Sequence, residues 1–310
     1  MSRSTTWDFA SQLEQDGPAS SQQRVSLDAA REYCRRLART HYENFTVASW
    51  LLPKHLRQHF YNVYAYCRWS DDLADEVEDA AQSLDLLDWW QRQLDDCYRG
   101  RAAHPVFVAL VDTIEQFEIP AEPFRNLLIA FRQDQRKTRY ETFDELLGYC
   151  RNSANPVGHL VLYLGRAFDE EHARLSDEIC TGLQLANFWQ DVSRDFDRGR
   201  VYLPRETLRR YGYDDAMLER REFNDAFARA LRHEVDRAEA FFARGRPLAA
   251  RMPRELRIDV ELVLRGGLAV LAAIRRIGYN VWRTRPVVGR RRKVWLVWCA
   301  WRASRGAGVA

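Results

Sequence analysis

The sequence has no apolar run of the roughly 18–20 residues that a bilayer-spanning helix needs. It has no CxxC pair. Cys34, Cys67, Cys97, Cys150, Cys180 and Cys299 are scattered, which argues against a zinc ribbon and predicts reduced thiols rather than a disulfide frame. GxGxxG, Walker A and GxSxG sequences are all missing. The histidines show no zinc spacing with cysteine, and the His55/His59 pair lacks the glutamate of HExxH. Runs of alternating β-branched residues are absent, so no sheet is expected. No Gly/Ser/Pro-rich linker divides the middle of the chain. The N-terminus lacks the apolar stretch of a signal peptide, so a cytoplasmic location is expected. The net charge is only +3, which speaks against a dedicated nucleic-acid partner.

What is present is helical periodicity over most of 310 residues, 46% of them hydrophobic, enough for a large core. Helices are predicted near 26–40, 54–78, 83–99, 104–117, 121–133, 142–167, 173–197, 214–244 and 253–283. Pro53, Pro105, Pro123, Pro204 and Pro253 fall at or near their starts, where a missing N–H costs little. The fold class is therefore all-α, a single-domain helical bundle. Residues 1–24, rich in Ser, Gln and Thr, read as a disordered extension except near Trp7 and Phe9. Residues 25–285 form the domain, and 286–310 a basic and aromatic C-terminal segment. Pro156, in Asn155-Pro156-Val157-Gly158, lies inside an apolar stretch and marks either a kink that opens a cavity wall or a plain break between two helices.

Two acidic clusters share one design. Asp71 and Asp75 stand four residues apart, as do Asp191 and Asp195, so each pair lies on one helix face. Like charges at that spacing cost a helix roughly 0.2–0.5 kcal/mol. One such pair is usually a solvated face. Here each pair continues a polar stripe on an apolar helix: Tyr64, Arg68, Asp71, Asp72 and Asp75 on the first, Gln184, Asn187, Asp191 and Asp195 on the second. Two stripes of this kind favour hard, oxygen-liganded cations around a diphosphate.

Two sets of cations could meet phosphate oxygens: Arg132, Arg136, Lys137 and Arg139 with Tyr140, and Arg194, Arg198 and Arg200 with Tyr202. Each is equally readable as a solvated charge run. Phe45, Tyr64, Tyr149, Phe188 and Trp189 flank the stripes, either as core or as ring faces for a carbocation. Near the C-terminus, Arg290, Arg291, Arg292 and Lys293 precede Trp295, Trp298 and Trp301. That pattern suits either an anionic membrane surface or a core cap.

These residues resemble the squalene/phytoene synthase family, over about residues 26 to 285. The resemblance rests on the two aspartate motifs, on Tyr64-Ala65-Tyr66-Cys67-Arg68, on Gln184-Leu185-Ala186-Asn187, and on Arg200-Val201-Tyr202-Leu203-Pro204. It implies the isoprenoid synthase fold with a central cavity. It also implies Mg²⁺, with Mn²⁺ as a substitute, at Asp71, Asp75, Asp191 and Asp195. Diphosphate contact is implied at Arg68 and Arg200, and substrate contact at His41, Phe45, Tyr64, Tyr149, Gln184, Asn187 and Tyr202. Of these, Tyr64, Arg68, Tyr149, Asn187 and Arg200 are the catalytic candidates.

Within the family, His41-Tyr42-Glu43-Asn44-Phe45, Ser153–Gly158 and Asn187–Asp195 are similar to the hydroxysqualene branch of bacterial hopanoid pathways. The condensing branches usually carry a glycine-rich segment where Asn155-Pro156 stands, and Arg-Asp-Val-x-Glu-Asp where this chain has Gln190–Asp195. The implied reaction converts presqualene diphosphate and water to hydroxysqualene and diphosphate, with no NADPH. Contact with the inner face of the cell membrane and coupling to neighbouring squalene-pathway enzymes are further expectations. Two alternatives stand beside it. One is a presqualene diphosphate, squalene or phytoene synthase. The other is a catalytically silent relative acting as a scaffold.

Overall fold

The computed structural model describes residues 8–20, 25–40 and 52–289. Its helices are α1 (Phe9–Asp16), α2 (Leu27–Thr40), α3 (Arg57–Asp75), α4 (Ala80–Tyr98), α5 (Pro105–Phe117), α6 (Glu122–Asp134), α7 (Phe143–Ser153), α8 (Asn155–Leu164), α9 (Glu170–Asp197), α10 (Arg205–Arg210), α11 (Asp215–Glu219), α12 (Asp225–Gly245), α13 (Leu248–Arg251) and α14 (Arg254–Arg276). The all-α expectation is met. Among the described residues the only β feature is an isolated parallel bridge between Arg139 and Val201. No described helix is long and apolar enough to cross a membrane. The chain divides into two compact units, Met1–Arg136 with Leu160–Arg166, and Lys137–His159 with Ala167–Ala310.

In the first unit an aromatic core fixes the rotation of α3. Trp69 stacks on Trp90 with centroids 5.3 Å apart, and Tyr66 packs edge-on against Phe107 and Phe124. Polar atoms on these rings have partners, as burial demands. Trp69 Nε1 donates to Tyr33 Oη, Trp90 Nε1 to Ser70 Oγ, and Tyr66 Oη to the Phe124 carbonyl. Asn62, fully buried, donates to the Ala109 carbonyl and to Thr113 Oγ1. Asn62, Tyr66, Trp69 and Leu73 thus face inward, and the other face of α3 holds Tyr64, Arg68, Asp71 and Asp75 toward more open space.

In the second unit α9 is the central element, packed against α12 and α14. Small residues allow the close approach. A Cβ at Gly182 or Gly267 would press on the Phe242 ring, and one at Gly245 on Ile179. Trp189 Nε1 donates to the Glu234 carbonyl, which fixes the register of α9 against α12.

Three sequence expectations change. Phe9–Asp16, inside the stretch expected to be mostly disordered, is helical, and Phe9 packs edge-on against Trp69. The helix expected at 142–167 is two helices separated at Ala154, so Pro156 marks a break and sits in the first turn of α8. The helix expected at 214–244 is α11 and α12, because Asn224 starts a new helix by accepting from the Phe227 N–H. The short α10 and α13 carried too few residues for a periodic signal.

Candidate active site

On α3, Arg68 dominates the first acidic motif. Its guanidinium donates to Asp71 Oδ2 at 3.1 Å and to Asp72 Oδ1. Asp72 is fully buried, while the Asp71 side chain keeps 45% of its exposure. The two neighbouring aspartates therefore differ in kind. Asp72 is the interior partner of an ion pair, and Asp71 and Asp75 are the accessible carboxylates one turn apart. Burial works against the Arg68 charge, but Asp72 and Asp71 outweigh it and hold its pKa above the ordinary value. Burial pushes the Tyr64 hydroxyl up to about 12, so it stays protonated at neutral pH. Gln135 Nε2 donates to the Ala74 carbonyl and steadies the end of α3 beside Asp75.

In the second unit, α9 carries Gln184, Asn187, Asp191 and Asp195 on one stripe. Asn187 is exposed, and Gln184, Asp191 and Asp195 are half-buried, so the stripe opens outward along its length. The chain then turns. Gly199 adopts φ +75°, and the Arg200 N–H donates back to the Asp195 carbonyl at 2.8 Å. The Val201 N–H donates to the Thr138 carbonyl at 2.7 Å, which pins the segment after the motif. Asp195 and Arg200 thereby line a small cavity with Phe188, Val192, Phe196, Tyr202 and Trp282. Phe188 and Tyr202 stack at 3.7 Å, and Tyr149, itself buried, lies about 6 Å from both rings. A cation, a carboxylate and three ring faces thus meet on this side of α9.

Asp191 has a partner that lies far away in sequence. Arg285 Nε donates to Asp191 Oδ1 at 2.5 Å and Nη2 to Oδ2 at 2.9 Å, a two-pronged pair. These bonds hold the Arg285 pKa above its ordinary value against partial burial. Gln190 Nε2 donates to the Pro286 carbonyl at 2.5 Å.

Several cations proposed for phosphate are engaged elsewhere. Arg132 pairs with Asp88 at 2.8 Å, Lys137 with Glu145 at 3.2 Å, and Arg139 with Asp215 at 2.6 Å. His41, Phe45 and the basic and tryptophan-rich stretch from Arg290 onward lie outside the described residues. Asn155 is buried and accepts from Thr181 Oγ1 at 3.0 Å, which ties the start of α8 to α9. Spacing placed Asp72 on the same open stripe as Asp71 and Asp75, but the structure buries it as the partner of Arg68; Arg285 and Thr181 were not singled out by spacing.

The donor set fits Mg²⁺. That ion takes one or two carboxylates and completes its shell with water and substrate phosphate oxygens. Asp191 with Asp195, and Asp71 with Asp75, each offer two carboxylates one helical turn apart. Among the described residues no group of three or more His, Cys, Asp or Glu side chains could hold an ion by itself, so such oxygens would have to supply the rest.

Residues 38–292 match the squalene/phytoene synthase family. The chain belongs to that family, whose members process prenyl diphosphates in isoprenoid biosynthesis. It is 31% identical over 289 residues to a 15-cis-phytoene synthase of Synechocystis, covering 89% of this chain and 86% of the relative. The crystal structure of squalene synthase HpnC from Alicyclobacillus acidocaldarius is 46% identical, with TM-score 0.80, over 84% of this chain and 98% of that one. A ligand-bound dehydrosqualene synthase is 25% identical, with TM-score 0.82, over 90% and 98% of the two chains.

Proposed function

We propose that this chain is a hydroxysqualene synthase that converts presqualene diphosphate and water to hydroxysqualene and diphosphate. The observation that carries the reading is the α7–α8 junction. Asn155 and Pro156 break the helix there, and Asn155 is hydrogen-bonded to Thr181 on α9. The condensing branches usually carry a glycine-rich segment at this place. The 46% identity to a structure named squalene synthase HpnC supports the same branch.

In this mechanism Asp71, Asp75, Asp191 and Asp195 would hold Mg²⁺, which would supply electrostatic stabilisation for the leaving diphosphate. Arg200, and Arg68 where its pairing permits, orient the diphosphate oxygens by hydrogen bonds. The C–O bond breaks and its electron pair departs with the diphosphate. The cyclopropylcarbinyl cation rearranges beside the Phe188–Tyr202 stack and the Tyr149 ring, whose π-electrons favour positive charge. Tyr64, Gln184 and Asn187 contact the substrate beside the carboxylates. Water adds to the rearranged cation, and the released diphosphate takes its proton. No hydride donor enters this balance, so NADPH is not required.

A second reading, head-to-head condensation of two prenyl diphosphates, is favoured by the identity to phytoene synthases. One experiment separates the readings. The purified protein is incubated with presqualene diphosphate and Mg²⁺ in ¹⁸O-water, without NADPH. Release of ¹⁸O-labelled hydroxysqualene is expected. Efficient conversion of farnesyl or geranylgeranyl diphosphate by the protein alone would establish condensation instead, and no diphosphate release from any of these substrates would favour a silent scaffold. The same proposal seats the segment from Arg290 onward on anionic lipid at the inner face of the cell membrane. Equal flotation on anionic vesicles of the full chain and a chain ending at Gly289 would remove that part.

A further inference from the structure

After α14 the chain turns at Gly278, where φ is +63°, and runs back along the end of α9. Val281 is buried. Trp282 packs edge-on against Phe196 of α9 at 5.5 Å and, tilted by 40°, against Phe227 of α12 at the same distance. This hydrophobic anchor places the next turn of chain over the second acidic motif. Arg285 then covers both oxygens of Asp191, while Gln190 Nε2 donates to the Pro286 carbonyl. Arg285 Nη2 also lies 3.4 Å from Gln190 Oε1. Backbone and side chain of residues 285–286 therefore grip residues 190–191 at four points.

This grip bears on the metal. The guanidinium fork takes one acceptor site on each Asp191 oxygen, so a cation entering at that edge of the carboxylate has to displace it. It would also meet the guanidinium charge at close range. Arg194, the other nearby cation, has an exposed side chain 3.9 Å from Asp191 and covers neither oxygen in this way.

We propose that Arg285 and Pro286 form a clasp that closes Asp191 to divalent cations in the free chain, and that a cation arriving with a diphosphate opens it. Arg285 is a positioning residue in this account, acting through Asp191. The inference rests on the metal reading given under Proposed function. Its consequence is an order of events. The bare cation binds weakly, because it must break the fork and faces uncompensated positive charge. The cation with diphosphate binds well, because the anion offsets that charge. Gln190 strengthens the grip where an arginine would repel Arg285.

The test is Mn²⁺ binding to the full chain, followed by electron paramagnetic resonance of the free ion, with and without inorganic diphosphate. Without diphosphate, Arg285→Gln should bind Mn²⁺ about tenfold more tightly than wild type, the factor equivalent to about 1.4 kcal/mol. Arg285→Lys keeps the charge and loses the fork, and should fall between. Equal affinity of Arg285→Gln and wild type overturns the clasp, and so does Arg285→Lys matching wild type, since charge alone would then account for the effect. Wild type that binds no Mn²⁺ even with diphosphate overturns the metal reading itself, and the clasp with it. A readout on the wild-type protein covers the case of a poorly folding variant. Amide hydrogen exchange over Val281–Gly289 should speed up when Mg²⁺ and diphosphate are added together. Unchanged exchange in a sample that binds the ion overturns the opening.

Discussion

Replacing Asp259 by asparagine should stabilise this chain at pH 8 and do far less at pH 5. Asp259 lies on α14, is 8% exposed, and neither of its carboxylate oxygens has a hydrogen-bond partner. Burial raises its pKa from 3.8 to about 7. The folded chain therefore keeps a proton that the unfolded chain has already released. Stability from this group is intact below about pH 4 and is lost as pH rises to about 7. The full rise corresponds to at most about 4 kcal/mol, of which about 2.5 falls between pH 5 and pH 8. Asparagine has nearly the same shape and does not ionise. For a chain of this length about 1 kcal/mol moves the melting temperature by roughly 1.5 °C. The lead of Asp259→Asn over wild type should thus widen by about 4 °C from pH 5 to pH 8, read by circular dichroism melts. A constant spacing across that range would show that Asp259 is charged and satisfied in the fold, and the reasoning fails.

Four other outcomes are expected. Asp75→Asn, Asp191→Asn and Asp195→Asn should each cut diphosphate release on the order of 100-fold while moving the melting temperature by no more than about 2 °C; near-normal rates would remove those residues from the metal assignment. Asp72→Ala leaves the Arg68 charge without its buried partner, so it should cost about 3–5 kcal/mol in denaturant titration, where the exposed Asp75 costs almost nothing. Gly158→Ala would place a Cβ 2.3 Å from Ser176 Oγ and 2.6 Å from Cys180 Sγ. It should cost about 1–3 kcal/mol, and adding Ser176→Ala should recover part of that, since the Ser176 Cβ lies at 3.6 Å. Stripping cations with EDTA should leave the melting temperature unchanged, unlike the collapse seen when a structural metal is removed.

Most of the fold is legible because apolar spacing and helix-start residues agree. Pro105 begins α5 and Pro123 lies in the first turn of α6, and Asp79, Thr142, Asp169 and Asn224 cap the helices that follow them. The faces of α3 and α9 are legible for the same reason, since period alone groups Asp71 with Asp75 and Asp191 with Asp195. What period cannot give is rotation of a helix against its neighbours. Asp71 and Asp72 are adjacent letters, yet the Trp69–Trp90 stack turns one outward and the other in. Nor can it give partners remote in sequence. Arg132 looked like a phosphate ligand until Asp88 appeared beside it, and Arg139 until Asp215 did. Asp259 sits among Arg254, Glu255, Arg257 and Glu261, and reads as one more surface charge.

The electrostatics of the acidic pairs have the same source in both units, reached by different routes. Carboxylates four residues apart repel on a bare helix. On α3 the remedy is local: Arg68 stands three and four residues before Asp71 and Asp72, so helix geometry alone delivers its guanidinium. On α9 the positions four and three residues before Asp191 are Asn187 and Phe188, and Arg194, three residues after it, is turned to solvent. The charge is supplied instead by Arg285, carried on a segment anchored by Trp282. A counter-ion built into its own helix is hard to withdraw without disturbing that helix. One borne on irregular chain can leave when something better arrives. On that difference rests the proposal that Arg285 yields the second motif, while Arg68 keeps its ion pair with Asp72 on its own helix.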